Sequence, residues 1–385
     1  MLRKYDAIIV GAGPAGGMAA KVISGKNLLI LLIEKKKEIG VPIQCGEAIT
    51  EFCLKDMGLK EDAKWVKQRV KGVKILLPEN KYFYSRENGL AIDRSIFDKW
   101  LVEKSVRKGA EILLETKVNR VERRKDKWVV KTKDEEYAGK ILIVADGALS
   151  KIARQLHMLK KGEYLLGYQY KFDGKYIKYP EKEWFVMYWY TSFRGGYGWV
   201  FPRGDEYNIG VVSKYANVRM LKNFCKRIGI SPERKKEINA GLIPFDFKFE
   251  TRARGGAMIV GDAGGMANPV TGGGIHAALA SGKMAGELAV EALKKSDLSF
   301  TERYDAEIRK TPYLHKSQLK TAKYFQGWGD EERKFLGKVM HGLEMENLTL
   351  FKSFLIGLKN PKYLFRANEL LAIRKAMLMN KKYGW

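Results

Sequence analysis

Residues 5–36 read YDAIIVGAGPAGGMAAKVISGKNLLILLIEKK, and no other stretch limits the fold as strongly. The order is strand, tight turn, helix, strand. Ala7 to Val10 is a short apolar run, and Gly11, Gly13 and Gly16 follow in G-x-G-x-x-G spacing. Gly11 allows the sharp turn, Gly13 lets the backbone approach a pyrophosphate, and Gly16 lets the helix pack close to the strand. Phosphates favour such a helix N-terminus, where unpaired N–H groups and the dipole attract negative charge. Glu34 ends the second apolar run, 18 residues beyond Gly16, where a carboxylate can accept hydrogen bonds from a ribose. A glycine triplet alone is weak evidence. Here strand, triplet, helix, strand and terminal acid stand in register, so a dinucleotide site is expected. Lys35, Lys36 and Lys37 read as a solvated run that could also reach phosphate.

Two later stretches repeat the strand-then-glycine pattern. KILIVADGALSKIAR (140–154) reads as a strand ending at Asp146-Gly147, with a helix starting near Ser150. AMIVGDAGGMANPVTGGGIHAALASGKMAGE (257–287) reads as a strand ending at Gly261-Asp262, then a glycine-rich turn and a long small-residue helix. An acid at the end of a buried parallel strand lies on the sheet edge where ligands bind. Asp262 is placed to accept from a ligand hydroxyl, and Gly272, Gly273 and Gly274 to bring N–H groups to a flat ring.

The chain has 385 residues, and its 45% hydrophobic and 30% charged residues are those of a folded protein, not a disordered one, while its net charge of +27 favours contact with something anionic or a lysine-rich solvated surface. No nucleic-acid-binding motif accompanies the charge. The start enters a strand pattern without a secretory segment, and the apolar run LLILLI is far shorter than a bilayer span. A cytoplasmic protein is expected. Its three cysteines, Cys45, Cys53 and Cys225, are too few for a disulfide scaffold. Cys45, in VPIQCGEAIT, could be buried filler, half of a bridge to Cys53, a metal ligand or a thiol against a cofactor. The four histidines show no ligand spacing with the cysteines, so no metal is expected. His276 reads as a packed histidine at a helix start.

The three glycine motifs together resemble the FAD-dependent hydroxylase-type flavoprotein superfamily, over about residues 1 to 295. Two elements narrow the resemblance. Pro42, Cys45 and Gly46 form P-x-x-C-G, and Tyr197, Trp199, Phe201, Pro202, Arg203 and Gly204 form Y-x-W-x-F-P-R-G. Both are similar to elements of the geranylgeranyl reductase family. That family includes archaeal digeranylgeranylglycerophospholipid reductase-like enzymes, which saturate isoprenoid chains of membrane lipids. The resemblance implies FAD, with Ala15 and Glu34 on its adenosine and pyrophosphate half. It also implies contacts from Cys45, Gly46, Ala48, Arg94 and Val118, and from Asp262, Gly274 and Ile275 at the flavin end. Arg94 makes sense alone as well. A cation in a first helical turn is unfavourable unless an anion lies nearby. The competing reading is a surface arginine paired with Asp93 or Asp98.

Residues 163–215 alternate with aromatics and glycine turns, which argues an antiparallel sheet. The resemblance makes it the cover of the flavin and the wall of an apolar substrate cavity. Tyr197, Trp199 and Phe201 are two apart and share a face, as substrate contacts or as plain core. The expected fold is α/β. A Rossmann-type FAD-binding domain (1–60, 86–160, 246–299) interleaves with an antiparallel-sheet substrate domain (61–85, 161–245), followed by a helical region (300–385). The final stretch, 348–385, carries eight Lys or Arg against Glu369 alone. It reads as a packed helix with a basic face, as a peripheral anchor on anionic membrane, or as both.

The expected reaction is saturation of an isoprenoid C=C by reduced FAD, with an acid supplying the proton. Cys45 is a candidate for that acid or for a shape-giving wall. Electrons would come from NAD(P)H or a small carrier, since no second dinucleotide motif occurs. A monooxygenase or halogenase of the same fold is the alternative, because Y-x-W-x-F-P has the spacing of the halogenases' W-x-W-x-I-P.

Overall fold

The computed structural model describes residues 2–345 and 367–384. The chain builds two large sheets with helices between and around them. The first sheet runs in the order Ala253–Arg254, Ala257–Ile259, Glu136–Val144, Arg3–Val10, Ile30–Ile33, Glu111–Leu113. Arg3–Val10 is parallel to both neighbours, with Ala7 opposite Ile30 and Ile141. Ala7 to Val10 and Ile30–Ile33 are buried throughout, which explains their unbroken apolar runs. A hairpin, Arg120–Arg124 and Lys127–Lys131, adds antiparallel to Glu136–Val144.

Helix Pro14–Ile23 begins with proline, whose missing N–H costs nothing in a first turn. Its buried face, Ala15, Gly16, Gly17, Met18, Ala19, Ala20 and Ile23, is made of small residues around one methionine and one isoleucine. The helix therefore lies close to helix Ile275–Lys295. A Cβ at Gly282 would come within 2.1 Å of the Ala15 carbonyl oxygen, so only glycine permits this crossing.

The second sheet runs Lys235–Pro244, Tyr164–Asp173, Glu206–Ser213, Tyr197–Arg203, Phe185–Tyr188, Val66–Leu76, Tyr82–Ile92, Ala48–Thr50. Its pairings are antiparallel except between Phe185–Tyr188 and Val66–Leu76. Period-two alternation splits its side chains. Val186, Tyr188, Val200, Ile209 and Val211 pack with Leu221 and Phe224 of helix Val218–Arg227. Val73, Ile75, Phe185, Met187, Trp199 and Val212 face the other way, toward Ala322, Phe325, Met340, Ile373 and Met377.

These last residues belong to the C-terminal helices, which are Ser299–Arg309, Lys316–Gly327, Asp330–Met340 and Ala367–Tyr383. The final helix buries Ile373, Ala376, Met377 and Asn380, so its inward face is part of the body. Residues 348–366 of the expected basic tail lie outside the described residues. No helix among the described residues is long and apolar enough to cross a membrane.

Candidate functional site

The cradle begins where strand Arg3–Val10 meets helix Pro14–Ile23. Gly11 has φ +104, and a Cβ there would lie 2.2 Å from the Ala145 carbonyl oxygen. A Cβ at Gly16 would lie 1.8 Å from the Gly11 carbonyl oxygen. These two glycines close the turn on itself. Gly13 differs, because its Cβ would meet no protein atom within 4 Å. Its missing side chain serves whatever comes to the loop, not the loop's own packing.

Glu34 is buried at the end of Ile30–Ile33. Its carboxylate accepts from the Ala12 N–H at 2.8 Å and the Lys36 N–H at 3.0 Å. A carboxylate has about four acceptor positions, so capacity for ribose hydroxyls remains. The Thr116 N–H donates to the Glu34 carbonyl, which brings the loop carrying half-buried Val118 to the same edge. Within the lysine run only Lys36 turns inward. Its ammonium donates to the Pro42 carbonyl at 3.4 Å, and burial lowers its pKa.

Two helix N-termini meet this edge without side-chain caps. The N-cap residues are Gly13 and Gly274, and neither first turn contains an acid. Uncapped N–H groups and aligned dipoles suit an anion and a polarised ring. The Asp146 Oδ1 is buried with no hydrogen-bond partner, and burial raises that carboxyl's pKa. Asp262 follows strand Ala257–Ile259, with one oxygen 3.4 Å from where a Gly274 Cβ would sit. Burial pushes its pKa up to about 6, against the pull of the Arg94 charge. The donor and acceptor set therefore fits a dinucleotide with a polyhydroxyl chain, as FAD is. Ala15 packs beneath Gly261, and Ile275 is buried at the start of its helix.

Arg94 opens helix Arg94–Val106, which Asp93 caps through the Ser95 N–H. It reaches Asp98 through two bonds, Nη2–Oδ2 at 2.6 Å and Nε–Oδ1 at 3.3 Å. Of the two partners considered for it, Asp98 is the one found, and the pair is largely buried rather than on the surface. The guanidinium also lies near enough to the Cys45 thiol for the two groups to act on each other's titration. Burial opposes its charge, but Asp98 more than compensates and holds it protonated.

Cys45 is thus placed beside Arg94, in the cluster that holds Ile275. Cys45, Cys53 and Cys225 are all free thiols, and Cys53 and Cys225 lie in the core. Cys45 is half-buried, unlike the other two thiols. Burial raises its pKa, with Arg94 pulling the other way. Tyr197 lies close enough to Cys45 for the two to influence each other, and its hydroxyl donates to the Thr271 carbonyl. That bond joins the aromatic strand to the Gly272–Gly274 turn.

Tyr197, Trp199 and Phe201 form one row, with successive ring centres 6.0 and 6.1 Å apart. The row has its own glycine. Gly210 pairs with Trp199, and a Cβ there would fall 2.1 Å from the indole. The row also needs Gly46, whose Cβ would lie 3.3 Å from the Phe201 ring. Cys45, Gly46 and Ala48 therefore stand between cradle and aromatic row. His276 is buried and packed, bonding Asp56 at 2.9 Å and stacking on Tyr383 with ring centres 5.5 Å apart. No cluster of potential metal ligands occurs among the described residues.

The motif reading passed over three residues of this junction. Glu47, Asn208 and Gln169 hold the Cys45 loop from beneath, and Arg203 joins them although it was singled out only as a motif member. The available signal was an acid, Glu47, set in an otherwise small and apolar stretch.

Residues 8–186 match the family model described as pyridine nucleotide-disulphide oxidoreductase. The chain is 32% identical over 363 residues to digeranylgeranylglycerophospholipid reductase 2 of Methanopyrus kandleri, covering 88% of this chain and 90% of that protein. The fold superposes on a geranylgeranyl bacteriochlorophyll reductase-like protein from Thermoplasma acidophilum with a TM-score of 0.84 and 24% identity. That match covers 96% of this chain and 100% of the other. A flavin-dependent brominase superposes less well, at a TM-score of 0.68 and 19% identity, covering 97% and 94% of the two chains.

Proposed function

Because this chain belongs to the digeranylgeranylglycerophospholipid reductase family, we propose that it is an FAD-dependent oxidoreductase that saturates C=C bonds of geranylgeranyl chains. Its substrates are isoprenoid membrane lipids or their precursors. The observation that carries this reading is the junction at Cys45. There a dinucleotide cradle and an apolar aromatic row meet, with a thiol and a guanidinium between them.

Bound and reduced, FAD supplies a hydride to the alkene. The chain's own residues do the rest. Gly11, Gly13, Ala15 and Gly16 bind the pyrophosphate at the first helix, and Glu34 takes ribose hydroxyls. Arg94 would contact the cofactor, and Asp262 would accept from it at the flavin end. The Gly274 and Ile275 N–H groups would address the ring, and Val118 would be a further contact of the cofactor. Tyr197, Trp199 and Phe201 hold the hydrocarbon and keep water out. The Cys45 Sγ keeps its proton at neutral pH because burial disfavours the thiolate. It gives that proton to the alkene carbon that does not receive the hydride, and the adjacent Arg94 charge stabilises the thiolate left behind.

The test is anaerobic incubation of dithionite-reduced protein with geranylgeranyl lipids, followed by mass measurement. A gain of two hydrogens per double bond supports the reductase. An oxygen requirement with oxygen or halogen incorporated supports the monooxygenase alternative. In the same assay Cys45→Ala lowers turnover about 100-fold if the thiol donates the proton, whereas an unchanged rate removes it from the chemistry.

Peripheral membrane contact belongs to this proposal, and the final helix supports it. Leu371, Lys375, Leu378 and Lys382 lie along its exposed side, with Leu371 at 52% and Leu378 at 40% exposure. Apolar and basic side chains on one stripe suit an anionic lipid surface. Co-sedimentation with anionic vesicles tests it, and equal partition of Leu371→Asp/Leu378→Asp and the parent would overturn it.

A further inference from the structure

Glu47 has the features of a purpose-built residue. It is 0% exposed, yet it is acidic and holds φ +61, a conformation that side chains rarely adopt. A buried carboxylate persists only where partners surround it. The Arg94 N–H donates to Oε1 at 3.1 Å, and Arg203 Nη2 reaches the same oxygen at 3.4 Å. Asn208 Nδ2 donates to Oε2 at 3.1 Å and to the Gly46 carbonyl at 3.3 Å. The backbone is tied as well. The Glu47 N–H donates to Cys45 Sγ at 3.2 Å, the Ile92 N–H to the Glu47 carbonyl at 2.9 Å, and Gln169 Nε2 to the Cys45 carbonyl at 2.8 Å.

These partners come from different parts of the fold. Arg94 starts a helix beside the cradle, Arg203 ends the strand bearing Tyr197, Trp199 and Phe201, and Asn208 pairs with Phe201 on the next strand. We propose that Glu47 is a positioning residue for the reductase reaction, whose carboxylate keys the Cys45 thiol, the Arg94 helix start and the aromatic strand into one register. The proposal deepens the reductase reading and rests on it for the meaning of turnover. Burial is the main cause that keeps the Cys45 thiol protonated, and the Glu47 charge acts in the same direction.

The experiment is alkylation of native, FAD-free protein with iodoacetamide across pH. Buried Cys53 and Cys225 are protected, so the rate reports Cys45. Glu47→Gln is expected to raise the rate by more than about two-fold and to move its pH midpoint downward, because the neutral amide removes a charge that disfavours the thiolate. Glu47→Asp restores the midpoint in part. In turnover Glu47→Gln lowers kcat about 10–100-fold with KM little changed. Faster alkylation at an unmoved midpoint together with a parental kcat would be loosening without consequence for the reaction and would overturn the proposal, as would a rate within about two-fold of the parent. If alkylation of Cys53 and Cys225 shows Glu47→Gln unfolded, Asn208→Ala carries the decision, because it removes one Glu47 partner and leaves the charge. A rate within about two-fold of the parent then overturns the proposal. The alkylation result is independent of the lipid, so it stands whether or not the chain reduces geranylgeranyl groups.

Discussion

The two faces of the site are built on opposite rules. On the cradle side the shape is carried by backbone, and the decisive positions are those with no side chain. On the aromatic side it is carried by large rings, and glycines such as Gly210 and Gly46 exist to make room for them. The difference follows from the ligands each side suits. A pyrophosphate is recognised by N–H groups at close range, whereas a hydrocarbon offers no polar atoms and can be held only by surface. The cradle should therefore be intolerant of added atoms, and the aromatic side intolerant of lost ones.

That contrast can be broken experimentally. The largest effect is expected at Trp199, which is buried in the core shared with the C-terminal helices. Trp199→Ala should lower unfolding free energy by about 3–5 kcal/mol in urea titration. A loss under about 1 kcal/mol would mean that the ring packs loosely and serves substrate alone. Gly16→Ala comes next. Its Cβ would strike the Gly11 carbonyl oxygen, so the apoprotein should lose about 1–3 kcal/mol.

Asp262 sharpens the comparison through pH. Its folded pKa of about 6 lies above the ordinary 3.8, so the folded state holds its proton longer than the unfolded chain. Stability contributed by that proton is complete below about 4 and is lost as pH rises through about 6. Discounted for its partial exposure, the loss is about 1–2 kcal/mol. Asp262→Asn should abolish this slope in Tm measured from pH 4 to 7, while weakening FAD. A parallel slope in both proteins would remove Asp262 as its origin.

The smallest stability effect belongs to Gly13. Gly13→Ala adds a methyl where no protein atom lies within 4 Å, so apoprotein Tm should be unchanged. FAD affinity, read by flavin fluorescence, should nonetheless fall about 10-fold or more. Unchanged affinity would contradict the assignment of this loop to the pyrophosphate.

The contrast also explains what could be read in advance. The cradle was legible because its chemistry is local. Gly11, Gly13 and Gly16 lie within one turn, and the apolar runs around them must be buried parallel strands. The shared face of Tyr197, Trp199 and Phe201 was legible for the same reason, since period-two alternation is local. The partner of Arg94 was narrowed to Asp93 or Asp98 but not chosen, because i,i+4 spacing permits a pair without requiring it. The inward turn of Lys36 was not legible, since nothing in a run of three lysines distinguishes the middle one. Glu47 was harder still. Its partners Arg203 and Asn208 lie 156 and 161 residues away, and no pattern near either announces the other.

By itself the amino-acid sequence determined the kinds of surface this protein makes: an uncapped helix start, an acid at a strand end, a row of rings and a thiol in a small-residue loop. These follow from spacing, side-chain volume and φ preference, which act over a few residues. Only the tertiary structure decided which of them meet. It put Cys45 against Arg94, drew Tyr197 to the Thr271 carbonyl and buried Glu47 among partners from three elements. The reason is physical. A buried charge must find its partners wherever the packed chain brings them, and that is settled by how two sheets dock, not by neighbours in sequence.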